Sequence, residues 1–209
     1  MRLRTIKLFL ATLFFIVSLA SCQKEINYAL PNASALPSNS IVGDYDFVGL
    51  IAHTESTVTV TDQGQTIKSV TVSDYKTKNN IGTAKITSNQ FIGTGIGYSI
   101  DTTMNVTTYI NNVLTEQVDV PFVATVPATN TISPYIQITP DSLTVTGDFG
   151  VLPDPSGNVP TGPVGLKLSW SADTLFLKVN STFTQTVTQN GVPGVLTSTV
   201  VGVTKLKKR

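Results

Sequence analysis

The chain has one cysteine, one histidine and three arginines in 209 residues, and each shortage excludes a class of site. A single cysteine can form neither an intrachain disulfide nor a thiolate zinc site. The only histidine, His53, cannot build a histidine metal cluster, and no Gly-x-Ser-x-Gly motif supports a serine nucleophile. Asp44 and Asp46 share one face of a predicted strand, but this spacing is common in strands. We therefore predict no catalytic residue, no metal site, no cofactor and no enzymatic activity.

The cysteine lies directly after an N-terminal targeting segment, residues 1–21. Three positive charges precede an apolar stretch, Leu8 to Val17, which is too short for a membrane-spanning helix. The sequence Leu19-Ala20-Ser21-Cys22 that follows resembles the bacterial lipobox. That resemblance implies removal of residues 1–21 and attachment of diacylglycerol and palmitate-type acyl chains to Cys22. Acyl chains of this kind anchor a protein stably to a membrane surface.

The segment after the cysteine predicts a cellular location and a flexible linker. Gln23 in place of Asp favours the outer membrane by the proteobacterial sorting rule, and Gln23-Lys24-Glu25 partly resembles the export signal of surface lipoproteins in the Bacteroidota. Both the periplasmic face and the cell surface remain open. Residues 22–40 contain two prolines and many small polar residues, so we expect a lipidated N-terminus with a flexible linker about 25 Å in average span.

Positive charge is scarce in the chain that would remain. Removal of residues 1–21 leaves eleven Lys and Arg against thirteen Asp and Glu, and Arg209 is then the single arginine. Proteins that bind the phosphate backbone of nucleic acids need a basic surface, so the composition argues against a nucleic-acid partner. The expected partner is the membrane, through the lipid anchor.

Threonine and other β-branched residues dominate residues 41–209, which are about the size of one domain. The chain after the signal segment has thirty threonines, interleaved with valine and isoleucine, and shows no 3.6-residue apolar period. We predict one all-β domain of about twelve short strands, with an irregular segment at Pro127–Pro134 and a long loop at Gly147–Gly165. An antiparallel meander of this size forms an up-and-down β-barrel or, alternatively, a β-sandwich.

Three segments share one pattern, a threonine-rich strand, a tight Asn/Asp/Gly turn and a second strand. Alternation places threonines on one face of these strands and apolar residues on the other. We expect a solvated threonine face over an apolar core, and the alternative is a polar surface that binds a glycan or a partner. The segments are TVTVTDQGQTIKSVTV, MNVTTYINNVLTEQVDV and TQTVTQNGVPGVLTSTVV.

The start of the domain carries a family resemblance. Ile41 to Val48 resembles the first strand of lipocalin-like domains in Bacteroidota lipoproteins, with Tyr45 at the position of the usual tryptophan. Ser142–Val145 and Asp173–Leu177 resemble the late strands of that family. The resemblance implies a lipocalin-like barrel with a cup that holds a small apolar ligand.

Two further groups of residues are candidate sites. Gly93, Gly95 and Gly97 fall on one face of a predicted strand, where they provide room for a bend or for a ligand in the cavity. Asp-Ser/Thr-apolar triplets resemble the O-glycosylation signal of exported Bacteroidota proteins, although an aspartate in a turn before a strand gives the same pattern. The candidate acceptors are Thr102, Ser142 and Thr174.

Two functions therefore follow from the sequence. The first is a lipid-anchored envelope protein whose barrel binds a small apolar ligand or whose threonine face binds a glycan. The second is a structural or interaction module of an envelope complex. A hollow domain favours the first, and a core filled by Phe47, Phe122, Trp170 and Phe176 favours the second.

Overall fold

The computed structural model describes residues 40–146, 162–189 and 191–209 of the chain. Within these residues it contains nine strands and no helix. The all-β class is thus confirmed, and the expected signal peptide, lipidated Cys22 and most of the linker lie outside the described residues. The strands are β1 Gly43–Asp62, β2 Gln65–Lys76, β3 Lys78–Ile86, β4 Gln90–Ile110, β5 Val113–Thr139, β6 Ser142–Val145, β7 Val164–Ser171, β8 Thr174–Gln189 and β9 Val192–Lys208.

The strands of the described chain form one antiparallel meander that closes on itself. Its pairings run β1-β3-β4-β5-β6-β7-β8-β9, and β9 pairs again with β1 over fifteen residue pairs. Both β2 and β3 pair with β1 on one side and with β4 on the other, but at different residues of those strands. Strand β3 pairs with the first residues of β1 and β4, and β2 pairs with their later residues, so β2 and β3 together occupy one position in the ring. The result is a single ring-like sheet, which fits the barrel alternative and not a sandwich of two sheets.

The prediction of about twelve short strands was wrong, because several predicted breaks lie inside long strands. The segments 44–52 and 55–61 are both part of β1, and the supposedly irregular Pro127–Pro134 lies within β5. Thr54, at the first of these supposed breaks, is buried between β9 and β2, whereas Pro127 lies where β5 pairs with β4 alone, an edge position that tolerates proline. The last two residues of the predicted loop, Val164 and Gly165, already belong to β7, and residues 147–161 lie outside the described part.

A solid apolar core fills the ring. Phe47 is buried, and Trp170 and Phe122 pack against the core while partly exposed. Phe176 alternates with the buried Leu175 and Leu177 and therefore faces outward, so it does not belong to the core. The side chains with less than 2% exposure are Tyr45, Ile86, Phe91, Leu143, Val145, Leu166, Leu175, Leu177, Leu196, Val200 and Leu206.

Three hairpins rise beyond the ring and form what we call the hairpin extension. It comprises residues 53–74 of β1–β2, residues 101–123 of β4–β5, and the described part of 180–200 in β8–β9. These are the three similar segments identified in the sequence. Their strands lie in the order β8-β9-β1-β2-β4-β5. We call the face that continues the ring interior the inner face, and the opposite face the outer face.

Candidate functional site on the hairpin extension

The inner face of the extension ends in an apolar row at its tip. Val60 lies opposite Ile67, Ile67 opposite Ile110, and Ile110 opposite Val113, so four aliphatic side chains cross four neighbouring strands. Val60 is 7% exposed, whereas Ile67 is 40% and Val113 is 65% exposed. The apolar surface therefore opens to solvent toward β5.

Two lower rows repeat this arrangement on the β4–β5 side. Val106 lies opposite Val118, and Met104 lies opposite Val120. Val118 is 40% and Val120 is 37% exposed, although both project from the face that lines the core. Together with the tip row, these rows form what we call the inner apolar surface, and the polar row of Thr108 opposite Glu116 lies between the tip row and the other two.

Buried hydroxyl groups adjoin the inner apolar surface on β1, β2 and β9. Ser56 and Ser198 are hydrogen bonded at 2.9 Å, and the Thr54 hydroxyl donates to the carbonyl of Ser73 at 3.5 Å. Ser73 is 2% exposed, and its own Oγ has no hydrogen-bond partner within the described chain. A buried hydroxyl without a partner costs free energy, so this group is available to a polar atom of a ligand or to water.

Sequence reasoning missed this band of hydroxyls. The available signal was the alternation Ala52-x-Thr54-x-Ser56 on β1, which continues the inward positions of the core. We read threonine and serine as solvent-facing residues. The tertiary pairing instead buries Thr54 and Ser56, because β9 and β2 cover them from both sides.

The three glycines proposed as a ligand cavity do not share one face. Bulges interrupt the β4–β5 pairing on both sides of Ile96. Gly93 is buried opposite the core residue Ala84, whereas Gly97 lies between Ile96 and Tyr98, which both pack against the core. Gly97 therefore points outward, where an added Cβ would approach the backbone of Ala128 at 3.1 Å.

Gly95 provides the bend that accompanies these bulges. It has a φ of 60°, a conformation that favours glycine, and its amide donates to the Asn130 side chain at 2.8 Å. Of the two roles considered for these glycines, a bend in the strand and a ligand cavity, the geometry supports the bend.

The outer face of the extension is lined with threonine, as the alternation predicted. Thr182 and Thr184 of β8 are hydrogen bonded to Thr199 and Thr197 of β9 at 2.9 and 3.3 Å. Thr57 continues this surface onto β1 opposite Thr197. These hydroxyls satisfy one another across the strands, which is sufficient reason for a solvated threonine face.

A shallow depression of about 440 Å³ lies on the outer side of β1, β2 and β9. Ile51 and Val201 supply apolar lining, and His53 Nδ1 lies 2.9 Å from Asp74 Oδ1 at its rim. The His53 side chain is 44% exposed and the Asp74 side chain 77%, so both are largely hydrated. His53 is thus a surface histidine that is hydrogen bonded to a carboxylate.

The candidate glycosylation residues occupy different settings. The hydroxyl of Thr102, which lies on β4, donates to the backbone carbonyl of Asp74 on β2 at 2.7 Å. Ser142 begins β6 beside Thr139, and Thr174 begins β8 with its hydroxyl 3.2 Å from Asp173. Two of the three acceptors thus follow a turn before a strand, and glycosylation itself stays a prediction.

The opposite end of the ring is closed by aromatic and basic side chains. The Tyr45 hydroxyl donates to the Ile41 carbonyl at 2.5 Å, and its ring lies 6.3 Å from that of Trp170. Lys208 lies 6.0 Å from the Trp170 ring centre. Arg209 donates to Asp46, and this hydrogen bond raises the pKa of the guanidinium. Lys207, Lys208 and Arg209 are exposed, and the hydrogen bond to Asp46 holds Arg209 beside β1.

Comparisons with known proteins add no assignment. No protein-family model, curated protein or solved structure matches the chain significantly. Among the residues that the structure describes, no helix is long and apolar enough to cross a membrane. The same residues contain no group of three or more His, Cys, Asp and Glu placed to hold a metal ion.

Proposed function

We propose that this chain is a non-enzymatic lipoprotein of the outer membrane, anchored through Cys22, whose β-domain binds a small apolar ligand on the inner apolar surface. The observation that carries the proposal is the exposure of aliphatic side chains on the face that continues the core. Val118, Val120 and Ile67 are 37–40% exposed there. Exposed aliphatic side chains grouped in this way commonly mark a binding site on a folded domain.

The surroundings of this surface indicate the class of ligand. Ser73 offers a buried hydroxyl without a partner within the described residues, at the level of Met104 and Val120. The three rows of the inner apolar surface contain no charged side chain on β1, β2, β4 or β5, and one charged side chain, Glu116, lies on the inner face between two of the rows. These features favour an elongated aliphatic molecule with one uncharged polar group over an ionic ligand.

The position of the proposed site differs from the cup that we expected. Side chains fill the ring, so the ligand would lie higher, between the hairpins of the extension. Trp170 contacts Tyr45 in the ring and is therefore a poor reporter of binding at the extension.

A fluorescent apolar probe and two variants on one strand test the proposal. N-phenyl-1-naphthylamine should bind the full chain, and Val120→Asp should weaken binding at least about tenfold by placing a charge on the apolar surface. Val123→Asp is the matched control, because Val123 is 74% exposed on the outer face of the same strand. Equal binding by wild type and Val120→Asp would rule out this site.

The lipid anchor is tested separately. Cells fed with labelled fatty acid should label the wild-type protein and leave Cys22→Ala unlabelled, since the chain has no other cysteine. Protease treatment of intact cells then distinguishes the cell surface from the periplasmic face. A wild-type protein that takes up no label is not a lipoprotein, whatever its β-domain binds.

A second candidate function is an interaction module of an envelope complex. The solid core of the ring favours it, and so do the two sheet edges of the extension, one on β5 and one on β8. Exposed edges pair readily with strands of other chains. A glycan-binding role has less support, because the threonine hydroxyls of β8 and β9 bond to one another.

A further inference from the structure

The hairpin extension has two edges that differ in how they are protected. Within the described chain, residues 113–131 of β5 pair only with β4, and residues 180–189 of β8 pair only with β9. Natural proteins protect such edges with charges, prolines and bulges, because a free edge is a template for another strand.

The β5 edge carries all three kinds of protection. Glu116 and Asp119 place negative charge along it, and Pro121 and Pro127 lack the amide that a further strand would need. A register shift between Thr108 and Tyr109 of β4 adds a bulge in this pairing. These features oppose pairing of β5 with a second strand.

The β8 edge carries none of them. Its sequence from residue 180 to residue 189, NSTFTQTVTQ, has no charged residue, no proline and no glycine. Alternating threonine with phenylalanine and valine has high β-propensity. A segment of this kind pairs readily along its backbone.

We infer that the β8 edge is a self-association surface, on which β8 of a second copy of this chain pairs antiparallel with it across a two-fold axis. The strand is complementary to itself when Gln185 lies opposite Gln185 of the other copy. Phe183 then faces Val187, and Thr184 faces Thr186, so apolar residues meet on the inner face and threonines on the outer face. The same threonine pairing already joins Thr184 to Thr197 on the other side of β8.

The protection of the β5 edge favours a dimer through two β8 edges over a larger assembly in which β8 of one copy pairs with β5 of the next. Pairing of a β8 edge with a β5 edge leaves one edge free on each copy, so it would add further copies and build a larger ring or a fibre. The acids and prolines of β5 oppose that arrangement, whereas β8 with β8 uses both copies of the edge and stops at a dimer. The inference is independent of ligand binding and of lipidation.

Position-specific cross-linking tests the dimer. The full chain carrying Cys22→Ala has no cysteine, so an introduced cysteine is its only thiol. A Gln185→Cys chain at about 100 µM, a concentration suited to a small interface, should form a disulfide dimer on oxidation. Thr197→Cys is the matched control. Thr197 lies on β9, so the two introduced cysteines of a dimer would be about three strand spacings, or roughly 14 Å, apart and could not form a disulfide.

A charge at the centre of the edge gives a second readout without a cross-link. Gln185→Lys places two ammonium groups directly opposite each other and should weaken dimerisation, measured by sedimentation, at least tenfold. Gln185→Thr keeps the strand neutral and should leave the dimer intact, with circular dichroism confirming the fold of both variants.

Three results would overturn the inference. They are the absence of a dimer with Gln185→Cys, equal cross-linking with Thr197→Cys, and unchanged association with Gln185→Lys. Cross-linking of Gln185→Cys to a different protein in cell envelopes, without a homodimer, would assign the β8 edge to another partner and reject the second copy.

Discussion

Tyr45 makes the stability of the domain sensitive to alkaline pH. Its side chain is fully buried, and its hydroxyl donates to the Ile41 carbonyl. Burial, and secondly the proximity of Tyr135, raise the pKa of Tyr45 from its ordinary value of 10.0 to about 12. The neutral phenol is therefore favoured in the folded state and the phenolate in the unfolded chain.

The sign and size of the effect follow from this difference. A group whose pKa is raised in the folded state makes its full contribution to the unfolding free energy at any pH below its unfolded pKa. For Tyr45 this contribution is lost as the pH rises from about 10 to 12. The difference between a pKa of 10.0 and one of about 12 corresponds to about 2.7 kcal/mol of unfolding free energy at the alkaline limit. Burial raises the pKa of Tyr98 and Tyr135 as well, so the wild-type loss includes their contributions.

The test is urea unfolding of wild type and Tyr45→Phe at pH 7, 9, 10 and 11. At pH 7 the variant should lose about 1 kcal/mol, because the buried Ile41 carbonyl loses its hydrogen bond. Above pH 10 the wild type should lose stability faster than Tyr45→Phe. Tyr109→Phe on the outer face is the control and should follow the wild-type pH profile. Parallel profiles for wild type and Tyr45→Phe would refute the argument.

Three further changes have defined outcomes. Leu175→Ala removes a fully buried side chain from the ring and should lower the unfolding free energy by about 2–5 kcal/mol in urea titrations, and a loss below 1 kcal/mol would contradict a solid core. Gly82→Ala should reduce the melting temperature, since the residue has a φ of 102° and a Cβ there would overlap the carbonyl oxygen of Gly95. Gly165→Ala is its control, because no atom lies within 4 Å of the added Cβ, and an equal loss for both would contradict this reasoning. Cys22→Ala should move the protein from the membrane fraction to the soluble fraction with an unchanged circular dichroism spectrum, and membrane retention would speak against the anchor.

The three hairpins illustrate what could be predicted locally. Turn residues with positive φ occur where the Asn, Asp and Gly pattern placed them, at Gln63 and Gly64, at Asn111 and Asn112, and at Gly191. Positive φ is a local property of one or two residues, so sequence alone reveals it. Face alternation is equally local, and the outward threonines of β8 were found for that reason.

Strand length was less predictable because it depends on neighbours. Thr54 lies between two segments that we separated, but pairing with β9 and β2 on its two sides keeps β1 extended through it. Pro127 likewise interrupts a local pattern, and it lies in β5 where the strand pairs with β4 alone. The inward band of hydroxyls was missed for the same reason.

The sequence by itself determined the all-β class, the three hairpins and the threonine faces, since each depends on residues close together in the chain. Only the tertiary structure decided that β9 pairs with β1 and closes the ring, and that the hairpins align in the order β8-β9-β1-β2-β4-β5. These pairings join residues that are far apart in sequence, such as Ser56 and Ser198. They expose Val120 on an inner face and leave the edge of β8 without a second strand within the described chain, and neither feature is visible in a local pattern.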